Sequence, residues 1–301
     1  MKYAIELQNL CKSYGRQKVV DSLCIKVPEG KIYGFLGKNG AGKTTTIRMI
    51  TGLIKPDGGE ILIHGRNILE DRKWAAGNIG ALVETPGFYE NLTAEQNLGI
   101  TAEMFGIPRK RIQEVLKLVG LEDTGSKRTK GFSLGMKQRL GIANCLMHSP
   151  GILILDEPAN GLDPAGIRDM RRFLRALSVE QGIAVMISSH ILSEIQQMAD
   201  YIGIIDGGRL MEEADIQSIT LSDQSYLYIE TDDIPSSAGL LDAMSLNYTL
   251  EEEGIRVYCS REMNSRINRK LVDRGINVYG LTPAAKTLEE RFLRITGEKS
   301  A

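Results

Sequence analysis

A short apolar run, Ile32-Tyr33-Gly34-Phe35-Leu36, leads straight into Gly37-Lys38-Asn39-Gly40-Ala41-Gly42-Lys43-Thr44. This is a complete G-x-x-x-x-G-K-[ST] pattern, and residues 43–53 continue it with helical spacing. A strand, a glycine-rich loop and a helix are the context in which the pattern has physical meaning. Gly37, Gly40 and Gly42 let the backbone turn tightly enough to aim several N–H groups at one anion. The helix N-terminus adds partial positive charge at the same point. Asn39, Ala41 and Thr45 complete the loop. Lys43 is placed to reach the β- and γ-phosphates of a nucleotide, and the Thr44 hydroxyl to ligate Mg²⁺. A glycine turn with no ligand is the competing reading, and the full motif in its strand–helix context outweighs it.

A second short apolar run, Ile152-Leu153-Ile154-Leu155, ends in Asp156-Glu157-Pro158. Uninterrupted apolar runs of this length suit buried parallel strands, although periodicity alone does not exclude a helix. Asp156 at the end of such a strand can hold Mg²⁺ through water. Glu157 beside it can orient or deprotonate an attacking water. Either carboxylate could instead cap a helix or turn. The upstream phosphate loop favours the catalytic reading.

The rest of the chain alternates between the two periods. Strand-like patterns fall at residues 3–7, 19–27, 60–64, 78–84, 184–188 and 202–205. Helical patterns fall at 167–181 and 191–199, and at most of 93–148, with breaks at Gly106-Ile107-Pro108 and near Gly125. This alternation predicts an α/β domain with a largely parallel sheet. After about residue 215 the character changes. Strands are expected at 226–230, 255–259 and 277–281, and helices at 262–274 and 287–296, which makes a small α+β appendage from about residue 221.

Further motifs carry a resemblance. Phe132-Ser133-Leu134-Gly135-Met136-Lys137-Gln138 lies between the phosphate loop and Asp156, Asn160-Gly161-Leu162-Asp163 follows Glu157, and Ser188-Ser189-His190 ends an apolar run. In this order they resemble the ATP-binding subunits of ABC transporters, over about residues 3–215. The implied fold is a P-loop ABC-type ATPase domain at 1–215, with a helical subdomain at about 88–150 and an accessory α+β domain at 221–301. Ser133 and Gly135 match a variant of the L-S-G-G-Q signature, with Leu134 and Met136 replacing its Gly and Gln. The resemblance implies that they contact the γ-phosphate held by a second subunit. It also implies that His190 senses the γ-phosphate and that Tyr14 stacks on adenine. A capped helix is the plain reading of Ser133, and an exposed turn that of Tyr14. His64 and His148 are read as structural.

One position departs from the family. Where its members usually carry Gln after the strand at 78–83, this chain has Glu84. A carboxylate can bind Mg²⁺, so Glu84 joins Thr44 and Asp156 as a candidate ligand, but unlike an amide it donates no hydrogen bond. Glu84 and the variant signature resemble the bacitracin and lantibiotic export or immunity branch. The terminal Leu288-Glu289-Glu290-Arg291-Phe292-Leu293 is similar to the ends of accessory segments in drug- and peptide-export ATPases, though by residue type alone it is an amphipathic helix. The implied cofactors are ATP and Mg²⁺. The implied partners are an integral-membrane permease and a second ATP-binding subunit, identical or paralogous. Phe88 and Tyr89, within residues 84–92, are the expected anchors for the permease.

Composition narrows the classes. A formal net charge of −1 offers no basic surplus for nucleic acid, so none is expected as a partner. No apolar run reaches the roughly 18 residues of a membrane span. Cys11, Cys24, Cys145 and Cys259 show no C-x-x-C spacing, which fits a reducing compartment rather than a disulfide framework. The N-terminus has no apolar signal core. The expected location is cytoplasmic, peripheral on the inner face of the membrane. A P-loop GTPase would need N-K-x-D, which is absent. A soluble ABC ATPase acting on ribosomes or DNA, or an ATP-binding immunity scaffold, are the remaining alternatives.

Overall fold

Two apolar patterns of different period build two kinds of sheet in the first part of the chain. The computed structural model describes residues 2–84, 87–216, 225–285 and 292. It separates into two units, Met1–Ile216 and Gln217–Ala301.

In the first unit, β1 (Tyr3–Tyr14) and β2 (Gln17–Pro28) form a hairpin around Gly15. With β4 (Gly58–Ile63) and β5 (Arg66–Asn67) they make an antiparallel sheet of order β2-β1-β4-β5. Alternating buried and exposed positions along β2 reflect its single buried face. This antiparallel sheet is an addition to the largely parallel one expected.

The second sheet consists of β3 (Ile32–Leu36), β6 (Ile79–Leu82), β7 (Ile152–Leu155), β8 (Ala184–Ser189), β9 (Tyr201–Asp206) and β10 (Arg209–Asp215). Its order is β10-β9-β3-β8-β7-β6, parallel except for the β9–β10 hairpin. Every residue of β3, β7 and β8 is buried, as a sheet covered on both faces demands. α1 (Lys43–Ile50) and α2 (Arg72–Asn78) pack, through residues such as Ile47 and Ala75, into one apolar cluster with residues of both sheets, among them Leu7, Ile25, Phe35, Ile63, Ile79 and Ile154. α3 (Ala94–Phe105), α4 (Lys110–Leu118) and α5 (Leu134–Leu146) make the helical segment. α6 (Pro164–Gln181) and α7 (Leu192–Met198) follow.

Local deviations have local causes. The strand expected at 78–84 pairs only over Ile79–Leu82. Asn78 ends α2, and Glu84 has a φ of 66°, which breaks an extended chain. Between α4 and α5 the helical pattern fails at Gly120 and Gly125, which take φ of 65° and 48°, and two 3₁₀ turns fill the gap.

The second unit runs β11 (Ser225–Thr231), α8 (Ile234–Ala243), β12 (Asn247–Glu251), β13 (Gly254–Tyr258), α9 (Arg261–Asp273) and β14 (Val278–Ala285). Its antiparallel sheet has the order β12-β13-β11-β14. A β-α-β-β-α-β path with this order is a split βαβ, ferredoxin-like arrangement. Leu227, Ile229, Leu240, Leu241, Ile255, Val257, Ile267 and Leu271 form its own core. α8 and β12 are additions to the expected elements. Apart from Phe292, the helix expected at 287–296 lies outside the described residues.

Candidate active site

β3, β8 and β7 are neighbours and parallel, so their carboxyl ends open side by side. The loops that leave them carry Lys43, His190 and the pair Asp156-Glu157. Ligands of parallel sheets bind at such carboxyl ends. The strand order thus converges three segments that lie far apart in sequence.

The phosphate loop is shaped by close approach. A Cβ on Gly37 would lie 2.5 Å from the Ile205 carbonyl oxygen. At Gly42, with φ 105°, it would lie 2.7 Å from the Val19 carbonyl oxygen. Only glycine fits either position. Lys43, 6% exposed, arches back over the loop. Its Nζ donates to the carbonyls of Gly37 at 2.6 Å and Lys38 at 3.3 Å, and stands 3.4 Å from Glu157 Oε1. A cleft of about 340 Å³ opens here, lined among others by Asn39, Gly40, Gly42, Thr44, Thr45, Asn160 and His190. Ala41 lies beneath it in the core.

Asp156 and Glu157 follow β7, and neither caps a helix. The Thr44 hydroxyl donates to Asp156 Oδ2 at 2.9 Å, and the Ser188 hydroxyl to Asp156 Oδ1 at 2.5 Å. Glu157 has a φ of 51° and precedes Pro158, a backbone state that costs about 1–3 kcal/mol and clusters at functional sites. Its N–H donates to Ser188 Oγ at 2.9 Å, and its Oε2 lies 2.7 Å from His190 Nδ1. Lys43 and His190 therefore each contact the Glu157 carboxylate. The Thr44 hydroxyl and Asp156 carboxylate offer two hard oxygen donors at the lip of the phosphate loop, a donor set that fits Mg²⁺ completed by phosphate oxygens and water. Among the described residues no group of three or more His, Cys, Asp or Glu is placed to hold a metal ion.

Other candidates stand apart from this cleft. Glu84 is exposed, ion-paired with Arg48 of α1, and lines a second hollow with Leu134, Lys137, Gln138, Asp156 and Glu157. Ser133 caps α5, its Oγ accepting the Met136 N–H at 3.3 Å. Neither Ser133 nor Gly135 lines the Lys43 cleft. Tyr14 is 49% exposed at the tip of the β1–β2 hairpin, with Lys12 Nζ 5.8 Å from its ring centroid. Val19, not Tyr14, is the hairpin residue that lines the cleft. His64 Nδ1 lies 3.0 Å from Glu29 Oε1, and His148 Nε2 3.2 Å from the Ile79 carbonyl, so both have structural partners. Sequence reasoning gave Val19 no signal, and carried Ser188 and Asn160 only as members of the Ser188-Ser189-His190 and Asn160-Gly161-Leu162-Asp163 motifs, without a role of their own in the cleft.

The ABC transporter family model matches residues 20–160. The bacitracin transport ATP-binding protein BcrA of Bacillus licheniformis is 47% identical over 301 residues, which covers 99% of this chain and 98% of that protein. The chain belongs to the ABC transporter ATP-binding family. The lantibiotic transport ATP-binding protein SrtF of Streptococcus pyogenes is 42% identical over 212 residues, 69% of this chain and 90% of that one. A dimeric ATP-binding cassette in a post-hydrolysis state, bound to ADP and Pi, superposes with a TM-score of 0.62 at 25% identity, over 70% of this chain and 98% of that one. This ABC subunit is an ATPase whose hydrolysis is coupled to transport. Subunits of this family dimerise and work with membrane permeases. No helix among the described residues is long and apolar enough to cross a membrane.

Proposed function

We propose that this ABC subunit powers export of a peptide antibiotic of the bacitracin or lantibiotic type, from the inner face of the membrane, through a separate integral-membrane permease. The supporting observation is the similarity to a bacitracin transport ATP-binding protein, which runs the full length of both chains and so through both units.

The site residues divide the work. The Lys43 ammonium exchanges its loop carbonyls for the β- and γ-phosphates. Asn39, Gly40, Ala41, Gly42 and Thr45 hold the phosphates through the loop, and Tyr14 stacks on the adenine. Thr44 and Asp156 would hold Mg²⁺, which when bound would neutralise phosphate charge. Glu157 orients the attacking water and accepts its proton, and His190 fixes the Glu157 carboxylate from the far side. Ser133 and Gly135, off their own subunit's cleft, serve the nucleotide of a second subunit. Two subunits then close around ATP and reopen after hydrolysis, and the permease converts that cycle into alternating access. Glu84 belongs to the loop that faces the permease.

The test is affinity purification of the tagged chain from gently solubilised native membranes, with inhibitory concentrations of bacitracin and a lantibiotic measured after Lys43→Ala in the host. A stoichiometric polytopic membrane protein and a lowered inhibitory concentration support the proposal. Ribosomal or DNA-bound partners without a membrane protein overturn it.

A further inference from the structure

Ser188 is fully buried near the end of β8, in a strand otherwise made of Ala184, Val185, Met186, Ile187 and Ser189. A hydroxyl in such surroundings needs partners, and both of its partners belong to the acidic pair. It donates to Asp156 Oδ1 at 2.5 Å and accepts the Glu157 N–H at 2.9 Å. The parallel register, Leu155 opposite Ile187, brings Ser188 beside these two residues. Asp156 Oδ2 takes the Thr44 hydroxyl, so the two oxygens of one carboxylate are held by two different donors.

We infer that Ser188 is a positioning residue for hydrolysis, acting through both Asp156 and Glu157. One hydroxyl fixes the Asp156 carboxylate plane, so that Oδ2 faces Thr44. The same oxygen anchors the Glu157 backbone in its φ of 51°, which aims the side chain back at Lys43 and His190. Ser189 cannot substitute, because its hydroxyl is committed to Glu194 Oε2 at 2.7 Å and to the Ile191 N–H at 2.9 Å. Removing the Ser188 hydroxyl frees the Asp156 carboxylate to rotate and leaves the part-buried Glu157 N–H without its acceptor. The inference rests on the roles proposed above for Asp156 and Glu157.

The experiment measures ATP turnover and ATP affinity of the full chain as wild type, Ser188→Ala, Ser188→Thr, Ser188→Val and Glu157→Gln, with a thermal melt of each. Ser188→Ala is expected to lower kcat by roughly 10- to 100-fold, the worth of a hydrogen bond to a charged group, while ATP affinity changes by less than about threefold. Thr and Val have the same shape and differ in the hydroxyl. Turnover is expected to return in Ser188→Thr and not in Ser188→Val. Full turnover in Ser188→Ala, or equal turnover in the Thr and Val variants, overturns the inference. Should the added methyl prevent folding of both, the Ala variant decides alone. Wild-type turnover in Glu157→Gln would instead remove the reading of the acidic pair itself.

Discussion

Glu157→Gln keeps the size of the side chain and removes its charge and basicity. In the native site the carboxylate has two neighbours, Lys43 Nζ at 3.4 Å and His190 Nδ1 at 2.7 Å. A general base of this kind contributes about 10²- to 10⁴-fold, or about 3–5 kcal/mol of barrier. The binding side has the opposite sign. A charge pair at 3.4 Å is worth about 1–5 kcal/mol for effective dielectrics between about 80 and 20. Glu157 is 23% exposed, so solvent screening favours the lower end. Glu157 thus competes with the phosphates for Lys43. Relieving that competition by about 1 kcal/mol tightens ATP about fivefold. Expected together are turnover reduced at least about 100-fold and ATP affinity equal or tighter, with the ATP-bound subunit accumulating as a dimer. Steady-state phosphate release, calorimetric titration with ATP and size-exclusion chromatography read the three quantities. Turnover within about threefold of wild type would remove Glu157 from the chemistry. Weakened ATP binding would refute the competition for Lys43.

Gly42→Ala places a Cβ 2.7 Å from the Val19 carbonyl at a φ of 105°; it should lower the melting temperature and abolish its rise on adding ATP. Tyr89 is 65% exposed, while its backbone is held by the Asn97 and Thr129 side chains. Phe88→Ala with Tyr89→Ala should therefore reduce co-purification of the permease and leave the dissociation constant for ATP unchanged; intact assembly would count against this surface. Burial holds the His148 imidazole below its ordinary value of 6.5. The unfolded chain therefore takes the proton first, so this contribution to stability is complete above about pH 6.5 and is lost as pH falls through the lower folded value. His148→Gln should flatten the fall in urea stability below about pH 6.5, and an unchanged slope would refute it.

The site was legible where chemistry is written in contiguous residues. The phosphate loop needs glycines at fixed offsets, because the backbone itself must approach the ligand, and that requirement survives in one dimension. Asp156-Glu157 was legible for a similar reason, as a carboxylate pair ending an apolar strand. Ser188 was not. It reads as one of two serines, and its importance comes from lying beside β7 in the sheet, which local periodicity does not encode. The ion pair of Glu84 with Arg48 was not legible either, since it joins the segment after β6 to α1, far away in the chain.

The amino-acid sequence alone determined the phosphate-binding loop, the acidic strand end, the succession of strand and helix and the family resemblance. Each depends on spacing along the chain. Only the tertiary structure decided that β3, β8 and β7 are neighbours, which brings Lys43 and His190 each onto the Glu157 carboxylate from distant parts of the chain. It also decided that residues after 225 close into a split βαβ sheet with a core of their own. Strand order and side-chain convergence depend on which apolar faces bury against one another. That is a property of the whole packed chain and is carried by no single segment of it.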